Sequence, residues 1–195
     1  MQTSTVTEGP QQAEVRPPLT LEALAQLDPS ALAELFAGGD VDDDLTAMSG
    51  HPRGRVLAAP ALRARLLVAA LRWLAASPLI LWEGKSFQAA EGAARGRGAN
   101  RARLKGRAAL FPFRTWIDRS VVDGRPCLVI SYDVPRNPPV LRPVYDEVRR
   151  IGPELYLGRG CYRRRGRAAR PVLWFALDAA RQDRPLALPL PGDGA

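Results

Sequence analysis

Asp123-Gly124 constrains this chain more than any other pair of residues. It sits between "WIDRSVV" and "CLVISYDV", two runs rich in β-branched and aromatic side chains. Asp-Gly closes antiparallel hairpins because the turn requires positive φ, which glycine adopts without steric cost. A hairpin here commits the middle of the chain to adjacent antiparallel strands. Side chains alternate across a strand, so Leu128, Ile130, Tyr132 and Val134 point one way, and Cys127, Val129, Ser131 and Asp133 the other. Upstream, Phe111, Phe113, Thr115 and Ile117 share a face, and Pro112 marks an edge or a bulge.

Strand character extends in both directions from this hairpin. It begins at Leu79 with "LILWEGKSF", which bends at Gly84. Residues 89–98 are small and Gly-rich and read as a mobile loop; "ANRARLKG" then alternates basic and small side chains. "RPVYDEVRRI" reads as one or two helical turns, because Asp146 is spaced for local ion pairs with Arg149 and Arg150. "ELYLGRGCYRR" and "RPVLWFAL" form a last strand pair across an Arg-rich loop. Helices are confined to the first eighty residues. "TLEALAQLDPSALAELFAGGD" holds two short ones, capped by Thr20 and by Asp28 before Pro29, with Leu32, Leu35 and Phe36 on one face. A third is expected over 61–76, where an apolar stripe follows Pro60.

About six to eight short, hairpin-linked strands favour an antiparallel sheet that curls or closes. The expected fold class is mainly β, a lipocalin-like antiparallel β-barrel with N-terminal helices. The expected organisation is a disordered tail over 1–18, an acidic helical appendage over 19–50, a barrel over 51–183 carrying the 61–76 helix, and a C-terminal tail over 184–195.

Charge separates these parts. The chain has 28 basic and 20 acidic residues, a net charge of +8, yet its first fifty residues hold nine acids and one base. The acidic part is expected to dock on or screen the basic body. Segments 95–107 and 159–170 each carry six basic residues and no acid. Arg dominates so strongly that a coding bias accounts for much of the high isoelectric point, which is therefore no evidence of a nucleic-acid partner, and none is expected. The glycines of "ARGRGANRARLKGR" lack the order of a phosphate-binding loop.

Cys127 and Cys161 are the only cysteines and His51 is the only histidine. Both cysteines lie in apolar runs and read as buried small hydrophobes in a reducing compartment. This inventory excludes zinc-type ligand spacing and a histidine triad, so no metal and no cofactor are expected. The longest apolar stretch is broken by Arg72 and Pro78, which argues against a membrane span. The expected location is the cytoplasm; oligomeric state is left open.

The motifs "GRVLAAP", "LWEGKSF", "DGRPCLVISYDV" and "YDEVRRIGPELYLGRG" resemble those of small bacterial lipocalin-like proteins. They are similar to a family named for a Gly-x-Trp-x-Gly signature followed by a Trp-x-Gly-Lys-x-Phe element. Trp82, Gly84, Lys85 and Phe87 match the second element; Arg53 to Leu57 lacks the tryptophan of the first. The resemblance covers roughly residues 50–178 and implies a calycin-like barrel with a ligand cavity. It implies no catalytic set.

A barrel cavity is mostly apolar, with a few polar groups that orient the guest. The candidate ligand-binding residues are Trp82, Phe87, Phe113, Tyr132, Tyr145, Glu147 and Trp174. If the protein is an enzyme, the candidate catalytic residues are Asp133, Lys85 and Tyr156. Lys85 is one of two lysines, and Asp133 would pair with it if the Asp133 side of its strand faces the lumen. The leading expectation is a small-molecule-binding barrel whose guest is apolar or aromatic, with or without an anionic group. The alternatives are a cyclase, isomerase or lyase that folds its substrate in the cavity, and a binder of an anionic macromolecule through the Arg-rich loops.

Overall fold

The computed structural model describes residues 19–59, 81–90, 92–103, 106–163 and 170–184. The 61–76 helix, the 1–18 tail and residues 185–195 of the C-terminal tail lie outside the described residues. Eight antiparallel strands close into a barrel in sequence order: β1 Pro52–Ala58, β2 Leu81–Gln88, β3 Gly96–Arg103, β4 Arg107–Arg119, β5 Pro126–Ser131, β6 Val144–Arg150, β7 Leu155–Tyr162 and β8 Arg170–Gln182. β8 returns to pair with β1, so no sheet edge is left open. The Asp-Gly hairpin joins β4 to β5, with Gly124 at φ 72°.

Two expectations are corrected. Residues 144–150 form a strand, not helical turns, pairing with β5 and β7 along their length. The helical spacing of Asp146 and Arg149 misleads because charged residues occupy both faces of this strand. Val144, Asp146 and Val148 turn inward, while Tyr145, Glu147 and Arg149 turn outward. All six are nonetheless buried. The Gly-rich segment is also shorter than a loop over 89–98, since β3 begins at Gly96 and pairs with β2 from Arg97 onward.

Two apolar clusters divide the molecule. One fills the lumen: Phe87, Phe113, Leu128, Ile130, Tyr132, Val148, Tyr156, Phe175 and Leu177 are among its members. The other lies outside the barrel wall, where Leu155, Leu157, Trp174 and Ala176 are covered by Leu21, Leu24, Leu32 and Phe36. Those covering residues come from helices α1 Leu21–Leu24 and α2 Pro29–Gly38, capped by Thr20 and Asp28 as expected. After α2, one acidic side chain meets the barrel. Asp42 pairs with Arg150 and accepts a hydrogen bond from Tyr156.

The segment after α2 straps one end of the barrel, here called the lower end. Asp40 bridges to Arg150 and Gly50 to Phe87. Between them a 3-10 turn, Leu45–Met48, pushes Leu45 and Met48 into the lumen cluster. A cavity of about 20 Å³ remains between this strap and Leu128, Val148 and Tyr156, room for roughly one water. The lower lumen is therefore filled by side chains rather than hollow, as an eight-stranded barrel permits.

Candidate functional site

The site is built by a bulge in β2. Trp82 pairs with Ala102 and Gly84 with Arg101, so Glu83 is an extra residue in the ladder. Gly84 makes this possible at φ 138°, and a Cβ there would strike the Pro52 carbonyl and the Gly54 nitrogen. Three residues apart, Trp82 and Lys85 would face opposite sides of a regular strand. The bulge brings both into the lumen and sends Glu83 outward to Arg103 and Arg107.

Lys85 is 2% exposed. Its ammonium donates to Asn100 Oδ1 at 2.9 Å, to Asp146 Oδ2 at 2.9 Å and to the Tyr132 hydroxyl. Those three acceptors match its three protons. The Tyr132 hydroxyl in turn donates to Asp146 at 2.9 Å. Phe175, Tyr132, Phe113 and Trp82 surround the ammonium with ring centroids 4.9–5.8 Å away, a geometry that favours a cation. Burial pushes the Lys85 amine below its ordinary value, and the Asp146 carboxylate opposes that shift. Burial, followed by the Asp146 charge, holds the Tyr132 phenol well above its ordinary value.

Asn100 completes this cluster. Its Oδ1 accepts from Trp82 Nε1 at 3.2 Å and from Lys85. Both partners are donors only, which fixes the amide orientation. Nδ2 is left with Tyr132 at 3.2 Å and a marginal 3.5 Å contact to the Phe111 carbonyl. Asn100, Trp82, Phe111 and Tyr162 are half-buried, and Val56, which pairs with the lumen residue Phe175, is 38% exposed. The described residues thus leave these upper-lumen side chains partly exposed, above the polar cluster. Phe111 owes its place to a second bulge, beside Pro112 as expected, where it takes φ 53°.

The lumen holds six of the candidates named from sequence: Lys85, Trp82, Phe87, Phe113, Tyr132 and Tyr156. Phe87 and Phe113 pack together at 5.3 Å beneath Lys85. Tyr156 lies at the lower end, bonded to Asp42, away from Lys85. Asp133 is exposed in the connection just past the end of β5, next to Tyr132, which takes the lumen side; the carboxylate that meets Lys85 is Asp146. Trp174 packs outside the barrel, edge-on to Phe36 at 5.7 Å. Tyr145 also faces outward, beside Arg163. Glu147 is fully buried in an outer network with Arg159, Ser120 and the Val121 amide, beneath Phe36. Asn100 was hidden in a basic, small-residue run. Its signal was position: it faces Lys85 across the β2–β3 ladder.

Among the described residues, no three His, Cys, Asp or Glu side chains converge as metal ligands, and no helix is long and apolar enough to cross a membrane. Cys127 and Cys161 are buried free thiols. No family model matches the chain, and no curated protein matches it. A crystal structure of a protein from Thermomonospora curvata is similar at 19% identity, covering 80% of this chain and 89% of that one, with a TM-score of 0.46.

Proposed function

We propose that this protein is a lipocalin-like small-molecule binder whose guest sits in the upper lumen, against Trp82, Phe111 and Tyr162, with one polar group on Asn100. One observation supports this most: a complete hydrogen-bonded cluster lies beneath aromatic rings that are half-buried in a closed barrel. Packing alone does not call for a buried lysine, since an apolar residue would fill the same space without desolvating a charge.

The cluster also selects the guest's charge. Lys85 is already balanced by Asp146, so an added carboxylate would bring a second, unpaired negative charge into a dry site. The group that fits is an uncharged acceptor, such as a carbonyl, taking a hydrogen bond from Asn100 Nδ2. An apolar or aromatic, neutral guest is favoured over the anionic one.

Methyl 2-naphthoate and 2-naphthoate, matched in shape and different in charge, test this reading. The ester is expected to quench Trp82 fluorescence and to bind at least about tenfold more tightly than the acid, a difference of about 1.4 kcal/mol. Val56→Trp, which fills the opening, is expected to abolish ester binding. Equal affinity for both probes would remove the charge selection. Ester binding untouched by V56W would move the guest out of the upper lumen.

A further inference from the structure

We propose that Lys85 forms a reversible imine with aldehyde or ketone guests, so that this barrel takes carbonyl compounds covalently. This deepens the binding reading above and rests on it. The geometry supplies each part the chemistry needs. The amine is buried inside the barrel, held in one place by Asn100, Tyr132 and Asp146. A carboxylate touches it at 2.9 Å and can take its proton. Four aromatic rings surround it and exclude the water that hydrolyses imines. Asn100 Nδ2 is placed to polarise a carbonyl oxygen entering from above.

The step balances without an oxidant or reductant. Lys85 Nζ passes one proton to Asp146 and becomes a free amine. Burial among four rings favours the uncharged form of the amine. The nitrogen lone pair then attacks the carbonyl carbon. A C–N bond forms as the C=O π bond breaks onto oxygen, which takes back from Asp146 the proton that Lys85 gave up. A second nitrogen proton passes through Asp146 to the same oxygen as the C–O bond breaks, so that water departs and the nitrogen lone pair completes the C=N bond. The third proton stays on nitrogen and leaves an iminium beside the Asp146 carboxylate, in the cage that held the ammonium.

The chain has only one other lysine, Lys105, which with the α-amine serves as an internal reference. The full chain is incubated with 2-naphthaldehyde and sodium cyanoborohydride, and the peptides are mapped by mass. Labelling at Lys85 is expected to run at least about tenfold faster than at Lys105, a barrier difference of about 1.4 kcal/mol. That preference is expected to vanish in urea and in V56W, whose substitution lies at an exposed position and leaves the cluster intact. Lys85→Arg removes the Lys85 adduct and leaves the reference amines labelled. 2-Naphthalenemethanol, which has no carbonyl, separates the outcomes. If the alcohol quenches Trp82 and the aldehyde leaves Lys85 unlabelled, the imine is overturned and the binding site stands. If neither compound binds, both readings fall. Labelling of Lys85 no faster than Lys105 in the folded protein also overturns the imine.

Discussion

An ammonium group in a protein interior is tolerated when each of its protons finds an acceptor and its charge a counter-charge. Lys85 meets both conditions through Asn100, Tyr132 and Asp146, and each of these is itself anchored to another member. Removing one partner is therefore much worse than removing two. Lys85→Met leaves the Asp146 carboxylate buried and unpaired, and is expected to cost about 3–5 kcal/mol. Asp146→Leu strands the ammonium at similar cost. The double variant K85M/D146L replaces the pair with apolar volume and is expected to recover most of the loss, since a buried ion pair and a packed apolar pair are nearly equivalent in stability. Urea unfolding of the four proteins measures this. If the double variant is as weak as the sum of the singles, the cluster is not a coupled unit.

At the scale of elements, helix α2 lies on a polar seam in the barrel wall. Phe36 stacks on the guanidinium groups of Arg149 and Arg159 at 4.5 and 4.2 Å, and both arginines reach Asp123 in the β4–β5 connection. Burial alone would raise the Asp123 carboxyl. Hydrogen bonds and charge from Arg149, with Arg159 and the Arg125 amide, outweigh it and hold the group well below the ordinary carboxylate range. A carboxyl depressed by folding contributes stability above its unfolded value and loses it as pH falls toward the folded one. The stability gap between wild type and Asp123→Asn is thus expected to be full at about pH 5 and to close toward about pH 2, as read by denaturant titrations across that range. A gap independent of pH would show that Asp123 acts through shape and not charge. The same elements show what the sequence could and could not disclose. The β4–β5 hairpin was legible because its turn chemistry and its alternation agree. Phe87, Phe113 and Tyr132 were legible as lumen residues for the same reason. β6 was not, because Asp146 pairs inward and Glu147 outward, which hides the two-residue period behind charges spaced like a helix. Asp133 and Asp146 both stand beside strand-like apolar residues; only ladder register decides which one meets Lys85, and register depends on local bulges in β2 and β4, beside Gly84 and at Phe111.

Across the whole molecule, closure of so narrow a barrel requires that large side chains meet empty positions. Three glycines supply them. A Cβ on Gly54 would strike the Trp82 indole, one on Gly98 the Phe113 ring, and one on Gly158 the Phe175 ring. These rings are three of the four that surround Lys85, so the packing that closes the wall also shapes the floor of the site. Small opposite large is the general solution for filling a tapering barrel interior. Gly158→Ala must push Phe175 off its place in a lumen with little free volume, and is expected to cost about 1–3 kcal/mol. It should also weaken ester binding, because Phe175 moves against Trp82, which it meets edge-on at 5.9 Å. Phe175→Leu in the G158A background returns the added volume. That double variant is expected to regain stability and not affinity, since the ring over the ammonium is gone. Thermal midpoints and ester titrations on the three proteins separate the two effects. Should G158A unfold at the wild-type temperature with unchanged ester affinity, the lumen is looser than this packing allows, and site and wall are not coupled through Phe175.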